Sequence, residues 1–358
     1  MVSLKFMHSQ KYLKFLAILI LSGWVTAAAQ SQPNTQSLPD APGAAAENNK
    51  DFVEARKLAE AGKYDQAIAA LEDLQTQNPK LKGLSAELGA TYYKKADYLK
   101  AVEWLRKAIE EDPRDDASTQ LLGLSYYLAG RPAEAIPYLE KVQSWYSRAN
   151  VDASYILGIC YIQTKDYAHA RAAFARMFDV PPDSGAAYLF TARMLFRQEF
   201  DPVAEEYAQK ATQVDPRLPG AHLLLGELYL YKSRLPEAIS ELQKELSINP
   251  ANATTYYKLA DAYSRVQKFD DAERLLQRSI WLDANSTGPY ILLGKVLEKK
   301  GEFDLAVRAL QRAAAMDPNN PMTHHLLGQT YRDMGKKEES DSELKLAEQL
   351  RARQDAHP

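Results

Sequence analysis

The sequence predicts an all-α solenoid of about nine helical hairpins stacked in a row, and three observations carry that prediction. Prolines at 79, 113, 182, 216, 250 and 318 are spaced 34, 69, 34, 34 and 68 residues apart, multiples of 34 with one residue inserted. In that register the eighth residue of every unit is Gly or Ala, and the twentieth is Ala in every unit except the last. Between these marks the apolar residues recur at helical spacing. A fixed period of this length means that one supersecondary unit is repeated along the chain.

The first element lies outside the repeats. Lys5, Lys11 and Lys14 precede an apolar run from Phe15 to Val25, and Ala27-Ala28-Ala29 precedes Gln30. This is the pattern of a secretory signal over residues 1–29, cleaved after Ala29. The alternative is an uncleaved membrane anchor, but the apolar core is shorter than the 20 or so residues of a spanning helix. Cysteine is absent near the cleavage point, which excludes a bacterial lipoprotein. Residues 30–47 are rich in Gln, Ser, Pro, Asn and Ala, a composition too poor in large apolar groups to fold, and are expected to form a disordered linker.

The solenoid is expected over residues 48–354, with units near 48–81, 82–115, 116–150, 151–184, 185–218, 219–252, 253–286, 287–320 and 321–354, and a tail at 355–358. The eighth positions are Ala55, Gly89, Gly123, Gly158, Ala192, Gly226, Ala260, Gly294 and Gly328. The twentieth are Ala67, Ala101, Ala135, Ala170, Ala204, Ala238, Ala272, Ala306 and Ser340. Leu88, Gly89 and Tyr92 share one face of a first helix, and Ala101, Leu105 and Ala108 share one face of a second. Small residues on both faces let the two backbones approach, while Leu and Tyr fill the space beside the crossing. Gly130, Gly301 and Gly335 fall between the helices, where a helix end favours positive φ. Pro132, Pro202 and Pro236 begin second helices, and the Asp-Pro pairs at 112, 215 and 317 end units.

Two units depart from the pattern. The fifth has Ala192, Leu195 and Ala208 where larger or aromatic residues are taken as usual for such a repeat, so looser packing is expected there. The third carries the extra residue and has Pro137 inside its second helix, which predicts a kink and a bend of the solenoid over Gln143–Asn150. The ninth unit is the most polar, as a terminal cap should be.

A Leu-Gly pair, an aromatic three residues later, then Ala, a large apolar residue, Ala and Pro in a 34-residue frame resemble the tetratricopeptide repeat family. The resemblance covers residues 48–354 and implies a right-handed superhelical solenoid that binds polypeptides. It further implies that the first helices line a concave groove, gripping peptides through their second, fifth, sixth, ninth, twelfth and thirteenth positions. Carried onto this chain, those positions make Leu124, Tyr127, Tyr155, Ile156, Ile159 and Phe190 the apolar part of a binding site, with the alternative that the tyrosines are simply usual for the repeat and that some apolar residues bury against adjacent units. Arg193, Phe196, Leu224, Glu227 and Tyr231 continue it, and Tyr257, Lys258 and Asp261 begin a charged stretch toward the C-terminus. Leu124, Ile156, Ile159 and Phe190 stand where polar residues are usual in the family, which marks them as a binding patch. A charge at Ile159 or Phe190 is then expected to block capture without unfolding. The paired Lys, Asn and Arg with which some members hold a C-terminal carboxylate are replaced here by mostly apolar residues.

Composition narrows the function further. The formal charge is −3 and becomes −6 without residues 1–29, with no Lys/Arg run, so nucleic-acid binding is not expected. The six histidines are scattered, and no His-x-x-x-His, Cys pair or Gly-rich phosphate loop occurs, so neither metal, cofactor nor catalysis is expected. His222 and His324 stand at an inward fourth position and read as packing residues. Trp104, Trp145 and Trp281 read as fillers between units, and the acidic residues as solvated outer faces. The lone Cys160 sits at an inward small-residue position, where a buried structural thiol is expected. The reading is therefore a non-catalytic scaffold, periplasmic or secreted, that binds a peptide segment or helix of other proteins. A structural subunit of an envelope assembly, with oligomerisation through its outer face or ends, is the alternative.

Overall fold

A computed structural model describes residues 52–145, 151–199 and 201–356. The expected signal, the linker and residues 146–150 of the expected bend lie outside the described residues. The described residues form eighteen helices in nine antiparallel hairpins. The first four are α1 (Val53–Glu60) with α2 (Tyr64–Gln77), α3 (Leu84–Lys94) with α4 (Tyr98–Glu111), α5 (Asp116–Leu128) with α6 (Pro132–Ser144), and α7 (Val151–Gln163) with α8 (Tyr167–Met177). Then follow α9 (Gly185–Arg197) with α10 (Asp201–Val214), α11 (Ala221–Tyr231) with α12 (Leu235–Ile248), and α13 (Ala253–Arg265) with α14 (Phe269–Leu282). The last are α15 (Thr287–Lys300) with α16 (Phe303–Met316), and α17 (Pro321–Asp333) with α18 (Lys337–Ala356). Each helix packs on its chain neighbours, so the protein is an all-α solenoid. One apolar cluster runs from Phe52 to Ala262, and smaller clusters continue it to Leu327.

The small residues in register are where the two helices of a hairpin cross. A Cβ on Gly89 would stand 2.6 Å from Leu105 Cγ, on Gly226 2.5 Å from Leu242 Cγ, and on Gly294 2.5 Å from Leu310 Cγ. Such distances are far below carbon contact, so only hydrogen fits. The twentieth-position alanines are all fully buried, and the exceptional Ser340 donates its hydroxyl to the Gly328 carbonyl at 2.8 Å. Its polar group is thereby satisfied in the core.

The fifth unit does not pack loosely. Ala192, Leu195 and Ala208 are fully buried, and α9 and α10 meet along their length as closely as any other pair. An alanine on each side of the crossing lets the backbones draw together, so little space is left to fill. In the third unit α6 continues through Pro137 to Ser144. Pro137 and Ala133, whose carbonyl loses its donor, both face solvent. Gln143 is anchored across the junction: its Nε2 donates to Ser154 Oγ at 2.8 Å, and its carbonyl accepts from Arg176 at 2.7 Å.

Between the helices of every hairpin one residue has positive φ. It is glycine at 62, 130, 301 and 335, but Ala96, Lys165, Glu199, Ser233 and Gln267 adopt it too, with φ of 58–65°. Where the next residue is described, its N–H reaches back to a carbonyl five residues earlier, as in Asp97 to Tyr92 (3.0 Å) and Arg234 to Tyr229 (2.8 Å). This closure satisfies the carbonyls at the end of the first helix and holds a left-handed residue whatever its side chain.

Candidate functional site

Curvature locates the candidate surface. Successive first helices touch one another, α3 with α5, α5 with α7, and α9, α11, α13, α15 and α17 in turn, whereas no successive second helices meet as extensively. The first helices therefore lie on the inner side of the curve and the second helices fan apart outside.

Burial divides the sequence-expected binding residues into two groups. Leu124, Ile156, Ile159 and Leu224 are core: Ile159 keeps 2% of its surface and Leu224 1%. The expected capture role at these four positions is corrected, because neighbouring units cover them. Phe190 is half-buried, with its ring edge-on to Phe174 (5.1 Å) and Phe178 (4.7 Å) of the preceding unit, so it too serves the seam between units. Tyr127, Tyr155, Phe196, Glu227, Tyr257, Lys258 and Asp261 are half-buried, and Arg193 and Tyr231 are exposed.

The exposed group is continuous from α9 to α13. Arg193 extends from α9 to within 3.5 Å of where a Cβ on Gly220 would lie, bridging toward the start of α11. Phe196 and Tyr231 meet edge to face at 5.8 Å, and Tyr231 keeps 66% of its surface. Glu227 pairs with Lys258 at 3.1 Å, Asp261 with Arg265 at 2.7 Å, and Arg265 also donates to the Leu230 carbonyl at 3.1 Å. The Tyr257 ring crosses to the next unit, where a Cβ on Gly288 would stand 3.3 Å from its Cζ. Burial pushes the Tyr127 hydroxyl up to about 12 and raises that of Tyr155, the latter eased by the Arg197 cation. These two phenols are thus neutral hydrogen-bonding groups at neutral pH.

Arg197 escaped the sequence reading, although its place one helical turn after Arg193 is a readable signal. Glu245 escaped it as well, and with Glu87 it corrects the reading of every acid as a solvated one. Glu245 is fully buried and accepts from the N–H groups of Gly220 (2.8 Å) and Leu223 (3.3 Å). It caps α11, because Gly220, the residue at the N-cap position, has no side chain to do so. Glu87 pairs with Arg56, and burial raises its carboxyl above the usual range. Trp281 is no filler, since 71% of it is exposed, with Arg278 over its ring at 4.1 Å.

His222 and His324 are inward, and each closes a clip. Nδ1 lies 2.6 Å from Glu241 or Glu343, and Nε2 lies 3.2 or 3.0 Å from the carbonyl of Pro216 or Pro318. Cys160 is buried, which pushes its thiol up to about 12. Among the described residues no group of three or more His, Cys, Asp or Glu side chains is placed to hold a metal ion. No helix among them is long and apolar enough to cross a membrane.

A curved array of hairpins with an aromatic and charged inner face defines a helical-repeat interaction scaffold. Family models described as tetratricopeptide repeats match residues 58–123, 226–267, 255–290, 294–335 and 323–354. A model described as anaphase-promoting complex, cyclosome, subunit 3 matches residues 94–177. The chain belongs to the tetratricopeptide repeat family. The human (Homo sapiens) intraflagellar transport protein 88 homolog is 28% identical over 103 residues, 27% of this chain and 12% of that protein. The chain thus spans only a small part of the length of the curated relative it matches. Among solved structures, MamA is 23% identical over 46% of this chain and 97% of its own, with a TM-score of 0.43. YrrB, described as a TPR protein with an unusual peptide-binding site, is 22% identical over 51% and 93%, also at 0.43. The Cut9–Hcn1 structure is 19% identical over 75% and 52%, at 0.44.

Proposed function

We propose that this protein is a non-catalytic scaffold, exported to the cell envelope, that holds a segment of a partner protein against the inner face of α9, α11 and α13. The observation that carries the reading is the edge-to-face pair of half-buried Phe196 and exposed Tyr231, on a face where Arg193 and Arg197 of α9 are exposed and make no ion pair among the described residues. An aromatic side chain two-thirds exposed on a face that also bears exposed cations offers both apolar area and direction to a bound chain. The basic N-terminus and the apolar run ending in three alanines support export.

Fractionation of cells making the full chain, with sequencing of the mature N-terminus, tests export. A product beginning at Gln30 outside the cytoplasm supports it, and a cytoplasmic product with an intact N-terminus refutes it. For the groove, photo-crosslinkers placed at Tyr231 and separately at exposed Leu99 on a second helix are compared. A partner captured from position 231 and lost with Phe196→Ser supports the reading, whereas capture only from position 99 refutes it. Trp281, Leu305 and Leu99, exposed on second helices, favour the alternative of a structural subunit docked through its outer face. Stable oligomers that dissociate with Trp281→Ser would establish that alternative.

A further inference from the structure

The inner face carries a charge opposite in sign to the chain. At the sixth, ninth, twelfth and thirteenth positions of the first helices, nine side chains are basic and six are acidic, while the whole chain has a formal charge of −3. The pairing sharpens the contrast. At the sixth, ninth and twelfth positions, every acid has a cationic partner: Glu87 with Arg56, Glu227 with Lys258, Asp261 with Arg265 and Glu298 with Lys299. Arg193 and Arg197 are exposed and make no ion pair among the described residues. They stand one turn apart on α9: Arg193 reaches toward Gly220 of the next unit, Arg197 acts on Tyr155 of the preceding one, and Phe196 of the same helix meets exposed Tyr231 of the next unit.

We infer that this stretch takes an acidic segment of a partner protein that also bears an aromatic or large apolar side chain. The inference rests on the groove reading above and adds the chemistry of the occupant. The guanidinium groups suit carboxylates because their forked N–H groups can donate two parallel hydrogen bonds to one acid. The Phe196–Tyr231 pair supplies an apolar surface for that side chain. A basic segment would meet two unpaired like charges here, and like-charge juxtaposition rejects wrong partners. The pairs at Glu227–Lys258 and Asp261–Arg265 are already neutralised, so within the stretch from α9 to α13 the cations without an ion pair at these positions are those of α9.

The test is selection from a degenerate library of twelve-residue synthetic peptides on immobilised full-length chain, with the retained pool read by mass spectrometry. The expected pool is enriched about fivefold or more in peptides that combine several acidic residues with an aromatic one, and high salt removes the enrichment. Arg193→Glu with Arg197→Glu should abolish or reverse the acidic preference, with circular dichroism and urea midpoint unchanged because both side chains are exposed. Retention without charge preference, lost on Phe196→Ser with Tyr231→Ser, would overturn the acidic occupant and leave the groove reading standing. No retention of any peptide would overturn both. An acidic preference unchanged in the double-glutamate variant would also overturn the inference, since the selectivity would then arise elsewhere.

Discussion

Replacing Gly158 with alanine tests the physical basis of the repeat most directly. The added Cβ would stand 2.3 Å from Phe174 Cε1, 2.5 Å from Cζ and 2.7 Å from Cδ1. Carbon atoms rest at about 3.5 Å or more, so the ring must withdraw by about 1 Å. It has nowhere to go, being fully buried, edge-on to Phe190 and tilted against Tyr155 at 6.3 Å. Overpacking of this kind costs ~3 kcal/mol, and alanine's better helix propensity returns ~1 kcal/mol, leaving a loss of ~2 kcal/mol. Urea unfolding followed by circular dichroism measures the loss. Amide exchange should place it in α7 and α8, because repeat arrays open unit by unit. Adding Phe174→Leu should recover part of the stability. Alanine already faces leucine at the matching crossings, Ala55 with Leu71 and Ala260 with Leu276, all buried. A Gly158→Ala protein as stable as the parent would refute the close-approach account of the glycine register.

Three further outcomes follow from the same geometry. Gln267 has φ of 61°, so Gln267→Gly should raise the urea midpoint by the equivalent of ~1 kcal/mol, and Gly301→Ala, at φ of 77°, should lower it similarly. Ile159→Asp should cost more than ~3 kcal/mol and lose helix content, rather than block capture in an otherwise folded protein; unchanged melting would return Ile159 to the groove. Cys160 has its thiol held up near 12 by burial, so it is protonated in the fold across the neutral and mildly alkaline range. A disulfide reagent at pH 8 should label it only once urea unfolds the α7 region, and rapid labelling of the native protein would contradict its burial.

The architecture was legible because its signals are local and repeated. Period, helix pairing, turn position and the buried crossing at each small residue all follow from a pattern that nine units state in common. The site was only half legible. Arg193, Phe196, Tyr231 and the charged residues from Glu227 to Asp261 were found at their register positions and do lie at the inner surface. Leu124, Ile156, Ile159 and Leu224 occupy equivalent register positions and are covered. Within one helix the period fixes a side chain's direction, but its exposure depends on how closely the neighbouring unit approaches.

That approach is set by residues a full unit away in the chain. Ala192 opposite Ala208 draws one hairpin tight, while Phe174 in front of Gly158 reaches past its own hairpin to Phe190. The same limit hid Glu245, which reads as one more acid on a second helix until the unsatisfied start of α11 is seen beside it. It also hid the five non-glycine residues at positive φ within the hairpin turns, which the backbone closure holds in place without help from composition. Repetition along the chain dictated the secondary structure and its stacking order. Contact between units alone decided which side chains of the inner face meet solvent, because burial is a property of two surfaces and each unit encodes only one of them.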